Sequence, residues 1–152
     1  MVLFLRRTSL LANRESVGYK LTPEYVAGFF DGEGSVGIYP RNTDRTGKIK
    51  YFVLVVSVAQ SGEFGYSILT HLCNIFGGTV YSGKPHPTKK KMWYWNISAD
   101  KGASFLNWFR FSSIIKISQI ETALQFQMLS NKRFDNPEAV LLATKIKELK
   151  QV

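Results

Sequence analysis

The chain has 152 residues, 45% of them hydrophobic, which suits one domain with a sizeable core and excludes general disorder. Lys and Arg number 20 against 11 acids, a net charge of +9 that points to a polyanion, nucleic acid first and an anionic membrane face second. No apolar run approaches the length of a membrane span; the one cysteine, Cys73, sits in apolar surroundings and reads as a core residue, and His71 and His86 are too few for a usual zinc site.

The opening stretch MVLFLRRTSLLANRES is rich in Arg and Ser and acid-free until Glu15. It reads equally as an organelle transit segment, a basic arm lying along DNA, or a frayed terminus. Residues 1–20 are therefore set apart as a basic extension, and 21–152 as a single domain. Leu21-Thr22-Pro23-Glu24 is a helix start: Thr22 caps, Pro23 fits the first helical position, Glu24 suits the positive end. That helix is expected to run to about Asp31, with Val26, Phe29 and Phe30 on its core face.

Ser35 to Arg41 alternates, with Val36 and Ile38 on one side and Ser35, Tyr39 and Arg41 on the other. After the polar loop RNTDRTGK, the stretch IKYFVLVVSVAQ makes a longer strand. Phe52, Leu54, Val56 and Val58 share one face, and Tyr51, Val53, Val55 and Ser57 the other. A second helix spans Phe64 to Phe76 and is stopped by Gly77-Gly78. GTVYSG and KMWYWNIS then form a second strand pair around KPHPTKKK. Further helices are expected over Lys101 to Phe111, Ile114 to Leu129 and Pro137 to Leu149. Helix, strand, strand, helix, strand, strand, helix, then C-terminal helices describes an α+β fold. Both hairpins share one antiparallel sheet whose far face is open.

The stretch YVAGFFDGEGSVGIYP holds the anomaly. Asp31 and Glu33 sit at the negative end of a helix dipole in a very basic chain, and rules broken locally mark working sites. A plain turn between helix and strand is the simpler alternative. Gly28 and Gly32, four apart and flanked by Ala27, make a second helix face without side chains, one that lets another backbone approach closely. If that backbone belongs to a two-fold copy, two Glu33 carboxylates converge and repel unless divalent cations lie between them.

VAGFFDGEG, Val26 to Gly34, resembles the LAGLIDADG motif of homing endonucleases. Ala27, Gly28, Asp31 and Gly34 match outright, Phe29 and Phe30 are apolar variants, and Glu33 stands for the last acid. With the order of elements, the resemblance extends over roughly Leu21 to Leu129. It implies the αββαββα fold of that family with an antiparallel, saddle-shaped sheet. Only one motif is present, which resembles the single-motif members that act as homodimers through Ala27, Gly28 and Gly32.

The resemblance also implies roles. Glu33 and the Gly32 carbonyl match the ligands of a divalent cation, Mg2+ with Mn2+ able to substitute. Gln60 matches a polar residue that organises metal-bound water. Lys116, in IIKISQ, matches the basic residue near the scissile phosphate, with Gln119 following it; an ordinary solvated lysine is the alternative at Lys116. The implied reaction is hydrolysis of both strands of a long, pseudo-palindromic DNA site with a short stagger, leaving 5′-phosphate and 3′-hydroxyl ends.

The outward strand set suits the major groove: Ser35, Tyr39, Arg41, Tyr51, Val53, Val55, Ser57, Thr79, Tyr81, Tyr94 and Asn96. Arg and Asn can pair with base edges, and Val53 and Val55 with thymine methyl groups. Lys48, Lys50, Lys84, Lys89, Lys90 and Lys91 lie in loops or at strand ends where phosphates would be met. The rival reading is a non-cleaving binder on the same scaffold, either a maturase acting on host intron RNA or a transcription regulator. The expected partners are double-stranded DNA and a second copy of the chain, with no membrane. The compartment, a prokaryotic cytoplasm or an organelle, stays open.

Overall fold

The computed structural model describes residues 20–42, 46 and 50–151, so the N-terminal extension and Lys48 lie outside the described residues. Helix α1, Pro23–Glu33, begins as its sequence dictates. The Thr22 hydroxyl accepts the Tyr25 N–H at 3.2 Å, Pro23 opens the first turn, and Glu24 lies at the positive end. The helix runs two residues beyond Asp31 and ends where Gly34 turns into the sheet, its N–H donating to the Phe30 carbonyl. Its buried residues are Val26, Ala27 and Phe30. Phe29, expected in the core, is only half-buried at its rim.

Strands β1 (Gly34–Asn42) and β2 (Lys50–Ser61) pair antiparallel from Gly34↔Val58 to Asn42↔Lys50. Helix α2 (Gly62–Phe76) leads to β3 (Thr79–Ser82) and β4 (Met92–Ser98), the second hairpin, and β4 pairs with β2. Both hairpins share one antiparallel sheet, as expected, and its strand order is β1-β2-β4-β3. Gly77 and Gly78 end α2 at φ +94° and +88°, conformations that favour glycine. A side chain at Gly78 would also collide with the Asn96 carbonyl and the Trp95 indole nitrogen, which donates to the Gly77 carbonyl at 2.8 Å.

Helix α3 (Ala99–Phe109), a 3-10 turn (Arg110–Ser112), α4 (Ile117–Gln127) and α5 (Pro137–Leu149) complete the helical side. Among the described residues, five helices cover one face of the sheet over a core centred on Phe105. Its ring meets Phe76, Trp95 and Phe109 at 4.9 Å between centroids and Phe30 at 6.0 Å, mostly edge to face. Besides shifts of about two residues at helix ends, two features depart from the expected elements. Residues 113–116 are not the start of α4 but a separate turn, whose amides at 114, 115 and 116 donate to the Asp31 carboxylate. Residues 132–134 extend the sheet: the Phe52 N–H donates to the Lys132 carbonyl at 2.8 Å and the Phe134 N–H to Lys50 at 3.2 Å. Phe134 stacks on Phe52 at 4.4 Å, covering a β2 edge that β4 is too short to reach.

Candidate functional site

Asp31 faces inward. Its carboxylate accepts four hydrogen bonds, from the Ser113 hydroxyl at 2.5 Å and the backbone N–H groups of Ile114, Ile115 and Lys116 at 2.8, 3.1 and 3.2 Å. It thus satisfies the amides that lead into α4, the task of an N-terminal cap carried out from a distant element. Burial works to raise its pKa, but those hydrogen bonds outweigh burial and hold it below the ordinary carboxylate value.

The turn delivers Lys116 to the end of α1. Its ammonium donates to the Phe30 carbonyl at 3.1 Å and to the Asp31 carbonyl, which would otherwise lack helical donors. A cation there complements the helix dipole, which answers the charge anomaly seen in the sequence. Burial lowers the Lys116 pKa, and the charges of Asp31 and Glu33 oppose that shift without cancelling it.

Glu33 and Gly32 are exposed at the same helix end. Gly34 is needed next to them because the Phe30 ring occupies the space of any side chain at that position. Gln60 is half-buried at the end of β2, two residues beyond the Gly34↔Val58 pair, and lies on the helix side near Tyr25, Phe29 and Gly65. Gln119 lies in the first turn of α4. Glu33, Gly32 and Lys116 are thus brought together, with Gln60 at the adjoining strand end. A carboxylate and a carbonyl oxygen are hard donors that suit Mg2+. Among the described residues, no group of three or more His, Cys, Asp or Glu is placed to hold a metal ion.

Gly28 and Gly32 lie on an open face of α1, where a side chain at either would meet nothing within 4 Å. Exposed Tyr25 and half-buried Phe29 border it, and exposed Ile114 and Ile115 are tied through their backbone N–H groups to Asp31 near the helix's C-terminal end. Ala27, assigned to the same face from sequence, is fully buried in the chain's own core instead. It lies on the Val26 and Phe30 side of the helix, where a small residue allows close packing.

The outer sheet face carries the alternating set. Ser35, Tyr39, Arg41, Thr79 and Tyr81 are exposed, and Tyr51, Val53, Val55, Ser57, Tyr94 and Asn96 are half-buried. The Ser57 hydroxyl donates to Asn96 Oδ1 at 2.7 Å, Asn96 Nδ2 donates to the Tyr81 hydroxyl at 3.2 Å, and Tyr81 stacks on Tyr94 at 5.3 Å. Polar groups on β2, β3 and β4 are thereby linked across the face. Lys84, Lys89 and Lys90 are exposed in the loop between β3 and β4. Lys91 is turned to the helix side, its ammonium 4.5 Å from the Trp93 ring, and Lys50 faces that side too, beside Phe52 and Phe134. Ser113 was missed from sequence because its meaning depends on a partner 82 residues away.

Comparison with known proteins agrees with this architecture. The LAGLIDADG endonuclease family model matches residues 26–135. The comparison with curated proteins gave no match. Among solved structures, the homing endonuclease I-CvuI in complex with its target superposes with TM-score 0.65 at 20% identity, over 95% of this chain and 84% of that chain. The homing endonuclease I-TnaI gives TM-score 0.60 at 17% identity, over 88% of this chain and 96% of that chain. The I-SmaMI LAGLIDADG homing endonuclease bound to cleaved DNA gives 0.61 at 17% identity, over 88% of this chain and 46% of that chain. At these identities the superpositions speak to the fold. The sequence match over the motif, both hairpins and the intervening helices carries the assignment: the chain belongs to the LAGLIDADG endonuclease family.

Proposed function

We propose that the protein is a homodimeric, divalent-metal-dependent endonuclease that cuts both strands of a long, pseudo-palindromic DNA site. The observation that carries this reading is the junction after α1. An exposed carboxylate and a helix-end carbonyl stand beside a cation, at the tip of a side-chain-free helix face. Glu33 and the Gly32 carbonyl would hold a divalent cation, the partner copy supplying the matching pair. That cation, when bound, supplies an activated water and neutralises charge on the phosphate. Lys116 keeps one N–H beyond the two it gives to α1, and its charge offsets that of the phosphate in the transition state. The Gln60 amide orients the attacking water by hydrogen bonding. The outer strand set enters the major groove, while Lys84, Lys89 and Lys90 meet phosphates.

Relatives support the metal and the partner. I-CvuI was crystallised with DNA targets in the presence of Ca or Mg, and I-SmaMI with uncleaved DNA in the presence of calcium ions. The test is a supercoiled plasmid library with randomised inserts, incubated with the protein in Mg2+ or in a chelator. Linear product is expected only with metal. Glu33→Gln is expected to retain duplex binding and lose cutting by at least about a hundredfold, in line with loss of a group that acts at the transition state. Duplex binding by both forms with cutting by neither supports the non-cleaving binder instead. Preference for structured RNA over duplex DNA favours the maturase.

A further inference from the structure

The C-terminal helix ends in an unexpected place. Helix α5 packs beside β1, the edge strand of the sheet, and its capping residue Lys150 reaches the outer face. The Lys150 ammonium donates to the Tyr39 hydroxyl at 3.2 Å and to the Ser35 hydroxyl at 3.4 Å, and lies 5.5 Å from the centre of the Tyr39 ring. The ring is also held from beneath, lying over Gly37 in space that a side chain there would fill. Tyr39 is therefore fixed between a glycine and a cation.

The partners of this cation are neutral oxygens. The one ion pair among the described residues is Arg110 with Glu121, so no described carboxylate lies within ion-pair distance of Lys150. An ammonium has three donors, of which two are used here, and Lys150 is exposed. A cation anchored at a sheet edge, with one donor free and no carboxylate, suits an anion arriving over that edge. When a sheet occupies the major groove, the sugar-phosphate strands run past its margins.

We infer that Lys150 is a DNA-backbone contact: α5 carries it past β1, where it binds a phosphate beside the groove and sets the orientation of Tyr39 toward the bases. The inference rests on the nucleic-acid reading of the outer face. It also gives α5 a place in the binding surface, beyond covering the core.

The test is fluorescence anisotropy of a short mixed-sequence duplex over a series of salt concentrations, with the wild-type chain, Lys150→Gln and Lys145→Gln. Lys145 is exposed elsewhere on α5 and serves as the reference. Released counterions set the slope of log affinity against log salt, about 0.9 for each phosphate neutralised. Lys150→Gln is expected to make the slope shallower by about 0.9 per subunit, while Lys145→Gln leaves it unchanged. A steep wild-type slope that Lys150→Gln does not alter overturns the inference and leaves the nucleic-acid reading standing. A flat wild-type response overturns the nucleic-acid reading itself, and the inference with it.

Discussion

Asp31 and Glu33 lie two residues apart in one motif and have opposite environments. Asp31 is turned inward on four donors, and Glu33 is exposed. Asp31 therefore acts through others: by holding the Ser113–Lys116 turn it sets where Lys116 lies. Asp31→Ala leaves the buried Ser113 hydroxyl and the turn amides without their acceptor. Hydrogen bonds to a charged group and lost caps together put the expected destabilisation at about 2–3 kcal/mol. Chemical denaturation measures it, and Asp31→Asn, which keeps one acceptor oxygen, is expected to recover part of the loss. Full stability of Asp31→Ala would show that the turn holds its place without the carboxylate.

The junction between α1 and β1 works as a unit because a helix and a strand meet there with no loop between them. Gly34 makes that possible. Phe30 is fully buried against Phe105 and Phe109, so its ring cannot retreat from a side chain placed at position 34. Gly34→Ala is expected to cost about 1–3 kcal/mol as overpacking and to move the neighbouring Glu33. Unfolding and cleavage measured together check this: stability and cutting should fall while duplex affinity is largely kept. The residues 132–134 show the same logic at the other end of the sheet. A loop without strand character in its sequence pairs with β2 because that edge was otherwise bare.

At the scale of the molecule, the proposed assembly depends on the open face of α1. A side chain at Gly28 meets nothing within its own chain, so Gly28→Leu should not disturb the protomer. Replacing glycine inside a helix is expected to raise protomer stability by about 0.5–1 kcal/mol. The same change should block close approach of a second helix. Sedimentation velocity is expected to show a dimer for the wild type and a monomer for Gly28→Leu, with cutting lost in parallel. A wild-type chain that cuts as a monomer would overturn the homodimer. Stability and association thus move in opposite directions, which separates an interface from a folding defect.

The local signals in this chain located its main helices and strands, but not the turn at 113–116 or the pairing of residues 132–134. Thr22-Pro23-Glu24 starts α1, Gly77-Gly78 ends α2, and alternation of side chains in β1, β2 and β4 sorts inward from outward residues, because capping, turn geometry and strand period act over a few residues. The motif was also legible, since its glycines and acids are contiguous. What only the tertiary structure decided depends on pairs far apart in sequence. Asp31 meets Ser113, Lys116 closes the end of α1, Lys150 reaches Tyr39, and residue 133 pairs with Tyr51. Ala27 went to the core for the same reason: a helix face is defined by what packs against it, and a small residue fits a tight core as well as it fits an open surface.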